Sequence, residues 1–276
     1  MSSLTAKVLL STDSLTLRNV HCTGTCRHRS AEECALDTQL VFPYRGLYLR
    51  HVGKDQSVAD ANHVLFFNAL EGYQVSHPVD GGDACLSLRL DQALLAELAP
   101  KALLQEGAEA AFRSQSQRID ARAQALVALL RHALDNGTIE PLEAEALVLT
   151  LVGRSLGPRT ATSRLASTYA RRRLADRVKV LLASDLSRRW TLAEIGQEIG
   201  SSPVYLTQVF RQVEGVPLYR YQLQLRLARA LDLIGQSDDL AALAVELGFS
   251  SHSHFASAFR QAFGRSPTDF RRVARV

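Results

Sequence analysis

The chain has 276 residues, 46% of them hydrophobic and 22% charged, enough to bury one large core or two of middling size. No run of about 18 apolar residues occurs, which argues against a membrane-spanning helix. The first seventeen residues lack the basic, apolar and small-residue order of a secretory signal, so a cytoplasmic location is the expectation. Charge is divided unevenly: residues 159–276 hold 18 Lys or Arg against 10 Asp or Glu, a net +8, whereas residues 1–158 hold 14 against 18, a net −4. Such asymmetry fits a basic module that meets a polyanion, joined to a module that does not.

The first ninety residues read as short strands. Residues 40–42, 46–52, 64–68 and 86–90 are β-rich runs between turn residues. Asp80-Gly81-Gly82-Asp83 is a strong turn signal, because adjacent glycines readily supply positive φ angles. Strands at this spacing predict a small barrel or sandwich. From Asp91 the period turns helical, over 91–98, 117–134 and 140–156, with Leu126, Leu129, Leu130 and Ala133 on one side of the second segment. Asn136-Gly137 separates the two longer helices, which predicts an antiparallel pair. Gly157-Pro158 closes the region, residues 159–168 read as a linker, and everything after about Tyr169 is helical in pattern. The expected domains are therefore 1–165 and 166–276.

Cys22, Cys26, Cys34 and Cys85 all fall in the first third and, without an export signal, read as thiols. His21-Cys22-x-x-x-Cys26-x-His28, with Cys34 nearby, has donor types suited to zinc or another soft metal. A metal- or thiol-responsive protein using Cys22, Cys26 and Cys34 stays open beside the reading of ordinary thiols. An enzyme finds no constellation to support it. His21, His28, His51, His63 and His77 are well separated, and no Gly-rich phosphate loop or Gly-x-Ser-x-Gly is present. No catalytic residue, metal or cofactor is assigned.

The strongest signal is an internal repeat. Leu192-Ala193, Ile195, Gly196, Ile199 and Gly200 recur 48 residues later as Leu240-Ala241, Leu243, Ala244, Leu247 and Gly248. Phe210-Arg211-Gln212 and Gly215 recur 49 residues later as Phe259-Arg260-Gln261 and Gly264. Each copy reads as a short helix, a tight turn at glycine and a second helix, spanning 191–212 and 239–261. Gly196 and Ala244 supply the small residue needed where the elements pack closely, and Gly200 and Gly248 the turn conformation. Ile195, Ile199, Leu206 and Phe210, with Leu243, Leu247, Phe255 and Phe259, form the facing apolar sides. Thr191 with Glu194 is a capping box, Asp239 caps the second copy, and Ser202-Pro203 places a cap before proline at the first helical position. Residues 218–234 read as one long connecting helix with Leu223, Leu227, Ala230 and Ile234 on a stripe. If the two second helices enter successive major grooves, their separation should be about 34 Å.

The segment 191–272 resembles the DNA-binding domain of the AraC/XylS regulators. The resemblance rests on Leu192-Ala-x-Ile-Gly196, Ser202-x-x-Tyr-Leu206, Phe210-Arg211, Arg226-Leu227-x-x-Ala230, Gly248-Phe249-x-Ser-x-x-x-Phe255, Phe259-Arg260 and Phe263-Gly264-x-x-Pro267-x-x-x-Arg271. Through Val64-Leu65-Phe66-Phe67-Asn68 and Ser76-His77-Pro78-x-x-Gly81-Gly82-Asp83, the first domain more weakly resembles the barrel domains of the same family.

What this implies is an α+β protein. Its first part would be a small cupin-like β-barrel with dimerisation helices at 126–134 and 142–156, and its second an all-α domain with two helix-turn-helix units. The implied function is a sequence-specific transcription regulator, an activator responding to a small molecule. Its partners would be double-stranded DNA, RNA polymerase, an unidentified effector and a second copy of the chain, with no membrane. A ligand-independent dimeric DNA-binding protein satisfies the same pattern.

The resemblance places base-contacting positions at Val204, Thr207 and Gln208 on the first recognition helix and at His252, Ser253, Ala256 and Ser257 on the second. Gln208 suits a bidentate contact to adenine and Val204 a thymine methyl, while His252 and His254 can donate to base or phosphate oxygens. Arg211 and Arg260, at the far ends of these helices, suit phosphates, and phosphate contact is also open to Arg171-Arg172-Arg173. Neither recognition set contains an arginine placed for guanine.

Overall fold

The computed structural model describes residues 4–24, 26–107, 110–157 and 168–275. Ten strands come first: β1 (Leu4–Ser11), β2 (Leu15–Cys22), β3 (Glu33–Cys34), β4 (Gln39–Gly46), β5 (Tyr48–Val52), β6 (Asp55–Ala59), β7 (His63–Phe67), β8 (Gly72–Ser76), β9 (Asp83–Leu90) and, after α1 (Gln92–Leu98), β10 (Ser116–Arg118). They form a six-stranded sheet in the order β1-β2-β9-β4-β7-β10 and a four-stranded sheet in the order β3-β8-β5-β6. Among the described residues this is a two-sheet arrangement and not one closed barrel.

The central strands are buried on both faces, and the pleat sorts their side chains. Leu40, Phe42, Val64, Phe66, Leu86 and Leu88 point into a core shared with the helices. Val41, Leu65, Phe67 and Cys85, at the alternate positions, face Tyr48 and Ala59 of the smaller sheet. A strand apolar on both faces reads as a continuous hydrophobic run, which is why Val64 to Phe67 stood out in sequence.

Helices α2 (Ala121–Asn136) and α3 (Pro141–Leu156) follow. They are joined through Gly137, which adopts a left-handed conformation at φ 66° and donates its N–H to Ala133. The helical pattern expected from residue 117 begins at 121, because 116–118 pair with β7 as an edge strand. Asp120 then caps α2 by accepting from the Ala123 N–H at 2.9 Å.

Helix α2 is enclosed on both sides. Val127 and Leu130 enter the strand–helix core, while Ala128, with Ala125 and Leu129, packs into the C-terminal helices. That leaves α3 as the member of the expected dimerisation pair with a free apolar side chain, Leu142 at 79% exposure.

The remaining chain is helical: α4 (Tyr169–Ser184), α5 (Leu192–Ile199), α6 (Pro203–Glu214), α7 (Leu218–Leu233), α8 (Leu240–Glu246), α9 (His252–Phe263) and α10 (Pro267–Arg275). The expected linker at 159–168 lies outside the described residues except for Thr168, whose hydroxyl caps α4. No helix among the described residues is long and apolar enough to cross a membrane.

Helix α7 supplies two cores at once. Leu218, Tyr221, Leu225 and Ala228 pack with α4, α5 and α6, whereas Leu227, Ala230 and Leu231, with Ile234 at the C-cap, pack with α8, α9 and α10. Each three-helix group would be a small core on its own; sharing a continuous α7 fixes one group relative to the other.

Candidate nucleic-acid interface

Local signals in each repeat set the helix boundaries. Thr191 accepts from the Glu194 N–H at 3.2 Å and the Glu194 carboxylate accepts from the Thr191 N–H at 2.8 Å, completing the capping box. Backbone and side-chain hydrogen bonds from Thr191, followed by that from Arg188, hold the Glu194 carboxyl down at about 2. In the second repeat Asp239 accepts from the Ala241 and Ala242 N–H groups at 2.7 and 3.1 Å. The second helix of each pair is capped by serine: Ser202 accepts from Tyr205 N–H and Ser251 from His254 N–H. Pro203 occupies the first turn of α6, where its missing N–H costs nothing.

The two turns use glycine differently. Gly200 has φ +70° and a Cβ there would meet nothing within 4 Å. Gly248 has φ +78°, and a Cβ would lie 2.2 Å from the Ser187 carbonyl oxygen. Alanine at 200 therefore costs only the left-handed backbone, about 1–2 kcal/mol. At 248 overpacking adds about 1–3 kcal/mol more. Urea unfolding of the two variants should show Gly248→Ala losing about 1–3 kcal/mol more than Gly200→Ala; equal losses would contradict the close approach.

That close approach belongs to a clamp between the two units. Arg226 of α7 donates from Nε to the Leu186 carbonyl at 2.7 Å and from Nη2 to the Arg188 carbonyl at 2.8 Å. Its Nη1 reaches the Gly248 carbonyl at 3.3 Å, as does Nε of Arg189. Arg226 thus ties the loop before α5 to the turn before α9. Similarly, Arg271 and Arg275 donate to the carbonyls of the 235–238 loop. Arg226 and Arg271 stood in sequence only as motif positions; their structural work is to cap loop carbonyls.

Beyond this scaffold lie the expected contact residues. On α6, Val204, Gln208 and Arg211 are exposed and Thr207 is half-buried, while Leu206, Val209, Phe210 and Val213 are buried behind them. The Thr207 hydroxyl donates to the Pro203 carbonyl one turn back at 2.8 Å. On α9, His252, Ser253, Ser257 and Arg260 are exposed and Ala256 is half-buried, in front of Phe255, Ala258 and Phe259. Both helices therefore present the expected residues on the side away from their cores.

The structure adds Tyr205, 46% exposed beside Val204, which sequence reasoning left out. It also occupies residues that were left open. His254 Nδ1 lies 3.0 Å from the Ser250 hydroxyl and its ring packs edge-on against Phe249. Arg171 donates to the Gln212 side chain and Arg173 to Gln56.

The alternative cluster of Cys22, Cys26 and Cys34 is not assembled among the described residues. The Cys26 thiol donates to the His28 carbonyl, and Cys34 is exposed on β3. Among the described residues, the ligand atoms that come within 4.8 Å of one another are those of Cys22, His77 and Asp83.

A family model described as a helix-turn-helix domain matches residues 195–273, covering both units and the α7 connection. The C-terminal region is a helix-turn-helix domain. Over 163 residues the chain is 32% identical to the HTH-type transcriptional activator RhaR of Klebsiella pneumoniae, covering 56% of each chain. Over 100 residues it is 33% identical to the regulator GadX of Escherichia coli, covering 35% of each. The chain thus matches about half the length of the first relative and a third of the second. A solved AraC-type regulator from Chromobacterium violaceum aligns with 39% of this chain and 96% of its own, at 26% identity and a TM-score of 0.37. In this domain α6 and α9 are the second helices of the two units, and α7 is the strut between them.

Proposed function

We propose that the chain is a one-component transcription regulator, cytoplasmic and dimeric, which reads DNA with α6 and α9 and activates transcription in response to a small molecule. The observation that carries this reading is the pair of capped recognition helices on one strut, each turning polar or small side chains outward. The division at 165/166 assigns sensing and self-association to the two-sheet domain and its helices. Activation, and contact with RNA polymerase, are supported by the likeness to an activator. Dimerisation is supported by the exposed Leu142 side of α3, since α2 is occupied within the chain. A cleft lined by Gln56 and Arg113 of the first domain and by Arg172 and Lys179 of α4 supports effector control, because a ligand there would touch both domains.

In this reading Val204, Thr207, Gln208, His252, Ser253, Ala256 and Ser257 meet bases, and Arg211 and Arg260 meet phosphates. Gln208→Ala is expected to lose about 1–3 kcal/mol of discrimination at one base pair. Arg211→Ala should weaken all sequences alike and reduce the slope of log K against log salt by about 1. Selection from a randomised duplex library, followed by salt titration, separates the two. A uniform loss across sequences for Gln208→Ala would remove it from the base-reading set.

A further inference from the structure

At one end of the two-sheet domain, three potential metal ligands converge from different segments. Cys22 ends β2 and Asp83 begins β9, and the two are directly paired in the antiparallel register, so their side chains leave the same face of the sheet. His77 follows β8, its backbone N–H donating to the Cys26 carbonyl at 2.7 Å. The three ligand atoms lie within 4.8 Å of one another. His77 and Asp83 are buried, at 2% and 8% exposure, and Cys22 is half-buried at the rim.

The backbone around the cluster is held with little freedom. A Cβ on Gly82 would sit 2.2 Å from the Cys22 carbonyl oxygen, one on Gly46 2.0 Å from the Gly82 carbonyl oxygen, and one on Gly24 2.5 Å from the Gly82 Cα. Three segments with no side chain between them fix the separation of the ligands that they carry. His77 Nε2 lies 2.7 Å from an Asp83 carboxylate oxygen, and its buried Nδ1 has no hydrogen-bond partner among the described residues. With Nε2 and the Asp83 oxygen this close, an ion that took up both would replace the hydrogen bond between them.

We propose that Cys22, His77 and Asp83 bind one zinc-class divalent ion. The sulfur donor selects against magnesium and calcium, which take oxygen ligands, and the mixed sulfur, nitrogen and oxygen set suits zinc. Thiolate and carboxylate together neutralise a charge of +2, and the Cys22 thiol proton leaves to solvent on binding. Three protein ligands at a partly open rim leave the fourth position to water. The site differs from a cluster of Cys22, Cys26 and Cys34, and it stands whether or not α6 and α9 read DNA.

The test uses the full chain, reduced and stripped with a chelator. Cobalt(II) is expected to bind once per chain with a thiolate charge-transfer band, and zinc to displace it. Cys22→Ser should abolish the band and weaken zinc by more than the ~10–100-fold typical of outer-shell changes, whereas Cys26→Ser and Cys34→Ser should leave both unchanged. In the unmutated chain zinc should also slow alkylation of Cys22, read by mass spectrometry, without protecting Cys34. No stoichiometric binding, a band that survives Cys22→Ser, or Cys22 alkylated equally fast with zinc would each overturn the assignment.

Discussion

Replacing Asp232 with alanine is expected to destabilise the chain by about 3–5 kcal/mol, the range for breaking a buried ion pair from one side. Asp232 lies on α7 with its side chain 1% exposed, and it faces three arginines. Arg45 of β4 grips it with two hydrogen bonds, at 2.9 and 3.1 Å; Arg131 of α2 lies at 3.0 Å; and Arg229 pairs with it from the previous turn of α7. Arg45 and Arg229 are about one-third exposed and can recover water when the carboxylate is gone. Arg131 is 8% exposed, stacked over the Tyr44 ring at 4.5 Å, and cannot.

The loss should therefore follow Arg131. Arg45→Ala, which leaves Asp232 two cations, should cost less, about 1.5–3 kcal/mol for a charge-assisted bond. Burial alone would raise the Asp232 carboxyl, but the Arg45 hydrogen bond and the charges of Arg131, Arg45 and Arg229 outweigh it and hold it below 3.8. A depressed carboxyl stabilises the folded state above its unfolded value near 3.8, and that contribution disappears as pH falls through the lower folded value. Urea unfolding at neutral pH and near pH 3 measures both. A loss under about 1 kcal/mol at neutral pH would mean that the three arginines are satisfied without Asp232.

What the sequence made legible follows from where the information is local. Each helix-turn-helix is specified within about 22 residues by caps, a turn glycine and facing apolar positions, and it is written twice. The central strands were legible because Val64 to Phe67 is apolar on both faces. β1 was not, because Leu4 and Val8 of this edge strand are exposed and Leu10 alone on that side is buried, too little for an alternation to show. β6 and β8 carry Asp55, Gln56, Gln74 and Ser76 among few apolar residues, so neither period stood out. The enclosure of α2 could not be read either: an apolar helix looks the same whether it faces its own second domain or another chain. The joint between the domains is built largely from polar residues far apart in sequence, which periodicity does not detect.

Glu214 shows this most sharply. It is the last residue of α6, where a carboxylate is locally unfavourable because the helix dipole places partial negative charge there. Yet the residue is 1% exposed, and long-range partners reverse the local preference. Lys179 of α4 reaches it at 2.6 Å and His63 of the first domain at 3.1 Å. The other His63 nitrogen lies 2.8 Å from Asp60, which also accepts from the Tyr221 hydroxyl of α7.

Glu214→Ala leaves the 2%-exposed Lys179 with Asp176, at 3.3 Å, as its ion-pair partner among the described residues, and an expected cost of about 3–5 kcal/mol follows. Glu214→Gln keeps the shape and one acceptor and should lose less. The decisive quantity is the coupling between Glu214→Ala and His63→Ala in a double-mutant cycle of urea unfolding. Residues that share a buried network should couple by about 0.5–3 kcal/mol. Strict additivity would mean that Glu214 is held through Lys179, with no energetic coupling to His63.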